Sequence, residues 1–267
     1  MNILDKILSE KEKEISNNKI ICPIKKLENS LFFNRKTFSL VEKIKNSKIG
    51  IIAEFKSGSP SKGIINNTIS VEKVVSGYES AEVSGISILT DHRFFYGKNE
   101  NIKKSRSIVS IPILRKDFII DEYQIIESKS IGADVILLIA GILSKMKIKN
   151  FSKLAKELGL EVILEIHNEF DIDKITENLD IIGINNRNLQ NFIVDHNTSL
   201  NLYSKIPGNY IKIAESGINN INVILKLIKI GVQGFLIGEY FMKGKHPGII
   251  CKYFMKLLLK RINGISS

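Results

Sequence analysis

Glu54 and Lys56 stand two apart at the end of the apolar run IGIIAEFK, and charged or amide residues recur in four more such runs. Lys116 closes IPILRK, Glu165 lies in EVILEI, Asn185 ends IIGIN, and Glu215-Ser216 ends YIKIAES. Ionised side chains rarely enter apolar strands unless they are paired or functional. Lysines and carboxylates gathered in one pocket are the equipment of general acid–base chemistry. Residues two apart on a strand share a face, so Glu54 and Lys56 can stabilise each other's charged forms while Phe55 points the other way. Alone, a buried structural ion pair explains them equally well. The loop that follows, SGSPSKG, favours an active site: its serines and glycines offer donors and close backbone approach, and Pro60 stiffens the turn for an anion.

Lys116, if it shares the pocket with Lys56, is expected to have its pKa lowered by repulsion and desolvation, which would make it a better proton donor. Glu165, between apolar neighbours, is expected to be pushed up by burial, although a salt bridge to a lysine fits the same placement. Arg187 offers a two-pronged fork for a carboxylate. His92, His167, His196 and His246 are not spaced as metal ligands and read as surface or loop residues. Cys22 and Cys251 show no CxxC or Cys/His spacing, so neither a zinc site nor a disulfide framework is indicated, and a reducing, cytoplasmic setting fits.

The elements that must position these groups follow from periodicity. From residue 49 onward, short apolar runs alternate with segments of helical period, the pattern of repeated βα units. Strands are expected near 49–55, 86–90, 111–115, 134–139, 161–166, 181–185, 210–215 and 233–237. Helices are expected near 70–83, 99–109, 121–131, 144–158, 168–178, 197–205, 219–230 and 247–261. Eight such units predict an α/β fold, a (β/α)₈ TIM barrel, and the 267 residues suit a single barrel domain over 1–267. The polar groups then converge on the rim at the strands' C-terminal ends, where such barrels keep their active sites. Gly217 and Gly238-Glu239, after the seventh and eighth runs, fall where barrels bind phosphate through backbone N–H groups. Residues 1–45 read as an N-terminal helical extension, DKILSEKEKEI then SLVEKIK, broken at Cys22-Pro23. It is expected to cap the barrel bottom or fold over its top, with Phe32, Phe33 and Phe38 as apolar cover.

Lys+Arg 39 against Asp+Glu 28 gives a net charge of +11. The basic residues scatter through the helical segments, as solvated helix faces do, and form no dense nucleic-acid tract; the field still favours anionic substrates. No apolar stretch reaches the roughly 18 residues of a membrane span, and MNILDKILSEKEKEI is not a secretory signal. A monomer or weak oligomer acting on a small phosphorylated anion, without nucleic acid or membrane, is expected.

At this point the chain resembles a family. IIAEFKSGSPSKG is similar to the opening motif of indole-3-glycerol phosphate synthase, and ILTDHRFFYGK, PILRKDFIID, ADVILLIA, VILEIHN, IGINNRNL, IAESGI and GFLIGEYFM resemble its later motifs in order. The resemblance implies a (β/α)₈ lyase of tryptophan biosynthesis, working without metal or organic cofactor. Its reaction turns 1-(2-carboxyphenylamino)-1-deoxyribulose 5-phosphate into indole-3-glycerol phosphate, CO₂ and water. It also implies Lys116 as the acid in ring closure and Glu165 in the later dehydration, with Lys56 as proton donor and anion partner and Glu54 balancing the lysines. Asn185, Arg187, Ser59 and Glu215 would position the substrate, Ser216, Gly217, Gly238 and Glu239 would line the phosphate site, and Phe118 with Leu137 or Leu138 would wall the aromatic ring. Gly58 stands where many members carry a larger residue, and Asn186 and Gln190 where Ser or Thr is common. A fused second barrel is not expected in a chain that ends at Ser267.

Two alternatives weigh less. Isomerase barrels of aromatic amino-acid or histidine synthesis would be expected to carry Cys/Asp or paired Asp at the first and fifth strands, where this chain has Glu54-Lys56 and Glu165. A nucleic-acid binder would need clustered cations with aromatic stacking positions, and the chain has no Trp.

Overall fold

In the computed structural model, which describes residues 3–188 and 193–264, eight parallel strands close into a barrel. They are β1 (Gly50–Phe55), β2 (Gly85–Leu89), β3 (Ile113–Lys116), β4 (Val135–Ile139), β5 (Glu161–Ile166), β6 (Ile181–Asn185), β7 (Ile211–Glu215) and β8 (Gly234–Ile237). Each pairs with the next, and β8 returns to β1 with Gly234 opposite Gly50. Period-two alternation sorts the side chains. Ile52, Leu114, Leu137, Ile163, Ile213 and Leu236 fill the interior, while Ile51, Ala53, Phe55, Ile86 and Ile88 turn outward to the helices. Lys116, Glu165, Asn185 and Glu215 follow the inward set at its upper end.

The main crossover helices are α4 (Val71–Ser80), α6 (Asn99–Arg106), α7 (Glu122–Ile131), α8 (Lys145–Glu157), α10 (Asn197–Tyr203), α11 (Ile221–Lys229) and α13 (Pro247–Asn263), joined by the short turns α5 (His92–Phe95), α9 (Glu169–Ile172) and α12 (Glu239–Met242). Ser70, Asp121, Ser144 and Asn220 cap α4, α7, α8 and α11 with side-chain oxygens that accept from the first turn, as these residue types favour. A helix over 168–178 does not form: α9 stops at Ile172. The Thr176 and Glu177 carbonyls instead accept from the Tyr210 hydroxyl (3.1 Å) and the Ser152 hydroxyl (3.4 Å).

Residues 3–45 do both things that the sequence left open. Helix α1 (Ile3–Ile21) crosses the catalytic end, where the buried Lys11 ammonium meets Asp117 at 3.0 Å and Asp91 at 3.1 Å, carboxylates that follow β3 and β2. The chain then descends past α2 (Ile24–Glu28) along α7: the Tyr123 hydroxyl donates to the Asn18 and Cys22 carbonyls, and Arg35 pairs with Asp134 at 2.6 Å. Helix α3 (Leu40–Lys45) seals the bottom, with Leu40 and Ile44 joining the interior core. The Glu161 carboxylate accepts from the Leu40 and Val41 N–H groups at 2.8 and 3.1 Å, an anion at a helix N-terminus. Phe32 packs near Gly132, and Phe38 lies between the Arg35 and Arg106 guanidiniums, so these rings sit low on the flank and do not cover the top.

Lys11 is therefore the electrostatic pin of α1. Burial opposes its charge, but Asp117, Asp91 and Glu14 hold it protonated above the ordinary lysine range, and Asp117 in turn is lowered to about 2 against its own burial. Removing one partner of such a buried set strands the others, at a cost of about 3–5 kcal/mol. Lys11→Met is expected to lower the urea midpoint accordingly without changing the slope; an unmoved midpoint would show that α1 is held by its apolar contacts alone.

Candidate active site

Strand register puts four acid–base side chains around one point. The Lys116 ammonium, from the end of β3, lies 2.5 Å from Glu215 Oε2 of β7, 3.6 Å from Glu165 Oε2 of β5 and 3.9 Å from Glu54 Oε2 of β1. On the far side of Glu54, Lys56 Nζ approaches Oε1 at 3.8 Å. The shared pocket expected for the two lysines is present, and its electrostatics run opposite to expectation. Burial alone would lower Lys116, but the carboxylates of Glu215, Glu165 and Glu54 outweigh both burial and repulsion and raise it well above the ordinary range. Lys56 is the lysine that is lowered, by burial first and then by Lys116 and Arg187, with Glu54 partly offsetting them.

Glu165 also runs opposite to expectation. Glu165 is lowered against its burial, by Lys116, His167 and hydrogen bonds involving Asn185 and Glu215. Glu215 is the one pushed up, to about 7, by burial and by the neighbouring charges of Glu165 and Glu54. It is fully enclosed beneath Lys116, with Oε1 against Gly183, where any β-carbon would collide with it. Its contact is with Lys116 and not with the open space above.

That space is a cavity of about 600 Å³, within the size range of small-molecule sites. Ser59, Phe118, Asn185, Arg187, Ser216, Gly217, Gly238 and Glu239 all line it, as do Glu54, Lys56, Lys116 and Glu165. Leu137, which points inward, lines the wall, and Leu138 turns to the helices. Phe118 and Phe95 stand with ring centroids 6.1 Å apart, and Lys56 lies over the Phe95 ring at 5.9 Å. At the opposite end Ser216 and Gly217 adopt left-handed backbone (φ 66° and 71°), beside the lining cations Arg187, Lys62 and Lys243. The Glu239 carboxylate is spent on Lys243 (2.6 Å) and faces Arg187 (3.8 Å), which leaves its backbone N–H as the group suited to an anion.

The loop after β1 folds into a two-residue antiparallel ribbon, Gly58–Ser59 against Gly63–Ile64. The glycine at 58 is explained by close packing: a β-carbon there would stand 2.5 Å from the Tyr96 ring and 2.7 Å from the Gly63 carbonyl. Asn186 ties the β6 and β7 ends together, its amide donating to the Glu215 carbonyl and its oxygen accepting from Ser199. Gln190 lies outside the described residues.

The sequence reading missed Phe95 and Asp91, which line the cavity from the ILTDHRFF segment after β2. An aspartate and paired aromatics directly after an apolar run were the available signal. His196 also lines the cavity, and His167 stands 3.3 Å from Glu165, so two of the four histidines belong to the rim.

Gly238 touches more than a phosphate end. A β-carbon there would lie 2.6 Å from Glu54 Oε1 and 2.9 Å from Glu54 Cβ. Gly238→Val is therefore expected to displace Glu54 and lower kcat by about tenfold or more, since small misplacements of reacting groups carry large rate costs. Steady-state kinetics with a rise in KM alone would contradict this.

A (β/α)₈ barrel whose rim holds lysines among carboxylates, beside a cation-lined end, defines an acid–base enzyme for a small anionic molecule. Residues 4–251 match the family model for indole-3-glycerol phosphate synthase. The chain belongs to the indole-3-glycerol phosphate synthase family. It is 42% identical to the indole-3-glycerol phosphate synthase of Bacteroides thetaiotaomicron over 96% of this chain and 99% of that one. It is 46% identical to that of Campylobacter fetus over 90% of this chain and 94% of that one. Among solved structures, a tryptophan synthase alpha chain from Legionella pneumophila superposes with a TM-score of 0.62 at 12% identity, covering 85% of this chain and 97% of that one, a likeness of fold.

Proposed function

We infer that this chain catalyses the family reaction, closing 1-(2-carboxyphenylamino)-1-deoxyribulose 5-phosphate to indole-3-glycerol phosphate with loss of CO₂ and water. The observation that carries the assignment of roles is Lys116, kept protonated by three carboxylates while its ammonium faces the cavity.

In ring closure the carboxyl-bearing aromatic carbon attacks the ribulose carbonyl, and Lys116 delivers a proton to the oxygen that becomes hydroxyl. Departure of CO₂ returns its electron pair to the ring and restores aromaticity. In dehydration the hydroxyl leaves as water with a proton from Lys56, whose lowered pKa suits it to donate. Glu165, held ionised by Lys116, takes the proton lost as the indole forms. The sum consumes one proton, as conversion of a carboxylate to CO₂ requires. Glu165 lies 3.6 Å from Lys116, close enough to help reset it.

Glu54 balances Lys56 and Lys116, and Glu215 acts through Lys116. Phe118, Phe95 and Leu137 hold the anthranilate ring, with Asn185, Ser59 and Arg187 on its carboxylate and the ribulose hydroxyls. Ser216, Gly217, Gly238 and the Glu239 N–H hold the phosphate, supported by Lys62 and Lys243. The enzyme works in the cytoplasm as a monomer or weak oligomer. Its positive charge serves anions rather than nucleic acid: retention on phosphocellulose without a DNA gel shift at about 150 mM salt is the expected behaviour. Among the described residues no helix is long and apolar enough to cross a membrane.

Incubation with the synthetic anilino-ribulose phosphate is expected to give indole fluorescence and one CO₂ per turnover. Absence of both from the folded protein would overturn the reading.

A further inference from the structure

His167 follows β5 two residues after Glu165, and its imidazole is enclosed: both ring nitrogens are buried and neither makes a hydrogen bond in the structure. A buried donor or acceptor left unsatisfied costs about 1–3 kcal/mol, so its retention calls for an explanation. Two carboxylates flank the ring. Nε2 stands 3.3 Å from Glu165 Oε1, and Nδ1 stands 3.9 Å from Asp171 Oδ2. Asp171 is itself anchored, accepting from the His167 backbone N–H at 2.9 Å and, through its own N–H, donating to the Asn168 side chain that caps α9.

The two oxygens of Glu165 thus face opposite neighbours. Oε2 points to Lys116 at 3.6 Å, on the cavity side, and Oε1 points to His167, which does not line the cavity. A carboxylate free to turn about its last bond presents either oxygen at a varying angle. One held at Oε1 presents Oε2 in a single direction. The 3.3 Å approach is too poorly aligned to count as a hydrogen bond, and unliganded sites often hold such contacts long until substrate tightens them.

We propose that His167 is a positioning residue for dehydration, its Nε2 gripping Glu165 Oε1 so that Oε2 meets the proton to be removed. The proposal rests on the reading of Glu165 as the base of that step. Asp171 sets the ring from the other side through Nδ1. His167 touches no reacting atom, and its effect passes wholly through Glu165.

The two ring nitrogens can be imitated separately, because Gln reaches the place of Nε2 and Asn only that of Nδ1. Single turnovers of wild type, His167→Gln and His167→Asn are followed by CO₂ release and by indole fluorescence. His167→Asn is expected to release CO₂ within about twofold of wild type while indole appears about tenfold later or more, as misplacement of a catalytic group predicts. His167→Gln should keep indole formation within about threefold, and neither change should move KM by more than about twofold. In a Glu165→Gln background the Asn replacement should add nothing, since residues acting as one unit are non-additive. Indole formation that keeps pace with CO₂ release in His167→Asn overturns the proposal, whether both are fast or both slow. So does a Gln variant as slow as the Asn variant, or full additivity with Glu165→Gln. Wild-type protein that forms no indole at all would count against the assigned reaction instead, and that arm is read first.

Discussion

Lys116→Ala is expected to lower kcat by about 10²–10⁴-fold at saturating substrate, the range for loss of a general acid. CO₂ release and indole formation should fall together, because proton delivery to the carbonyl precedes both. The variant has a second signature that a bystander lysine would lack. The ammonium is the common partner of Glu215, Glu165 and Glu54, and without it burial pushes the Glu215 and Glu165 carboxyls upward. Carboxyls with folded pKa values above their unfolded values support the fold below the unfolded values and lose that contribution as pH rises through the folded ones. With Glu215 already near 7 in the intact site, the alanine variant should lose stability relative to wild type as pH is raised through and beyond about 7. Near wild-type turnover would exclude Lys116 as the general acid, and a stability difference that does not grow with pH would exclude it as the charge partner of the three carboxylates.

Glu165→Gln should be about as damaging to indole formation, again about 10²–10⁴-fold, and it should divide the reaction where Lys116→Ala does not. Gln nearly matches Glu in shape but cannot take the proton lost during dehydration, so CO₂ release should persist while indole fluorescence stalls. The change also removes one of the negative charges that raise Lys116. The lysine pKa must then fall, and the basic limb of the rate profile for CO₂ release, which reports loss of the protonated acid, should move to lower pH. Parallel loss of both signals with an unmoved basic limb would place Glu165 outside the dehydration step and away from Lys116 energetically.

Much of this protein was legible in order along the chain. Period-two apolar runs separated by helical stretches identified the barrel, since strand alternation and helix period are local and each βα unit repeats them. The same alternation put Glu54 and Lys56 on one face, and the end of each run marked where its polar residue would emerge. Strand boundaries moved by only a few residues, as at β3, which begins at Ile113 after Pro112, a residue without an N–H for the ladder.

What the chain order did not display was the sum over strands. Whether Lys116 is raised or lowered depends on carboxylates from β1, β5 and β7 at 2.5–3.9 Å, and Coulomb energy follows distance through space, not along the chain. The repulsion expected from Lys56 is outweighed by them. Both Glu215 and Glu165 are buried, and their neighbours decided between them: Lys116, His167 and Asn185 lower Glu165, while the charges of Glu165 and Glu54 add to burial in pushing Glu215 up. The placement of α1 over the rim rests on Lys11 meeting Asp91 and Asp117, three residues from separate segments that look like ordinary surface charges in sequence. Closure of the barrel brings β1 and β8 together and fixes the geometry of every one of these contacts, so local pattern determined which residues reach the rim, and tertiary distance determined what each does there.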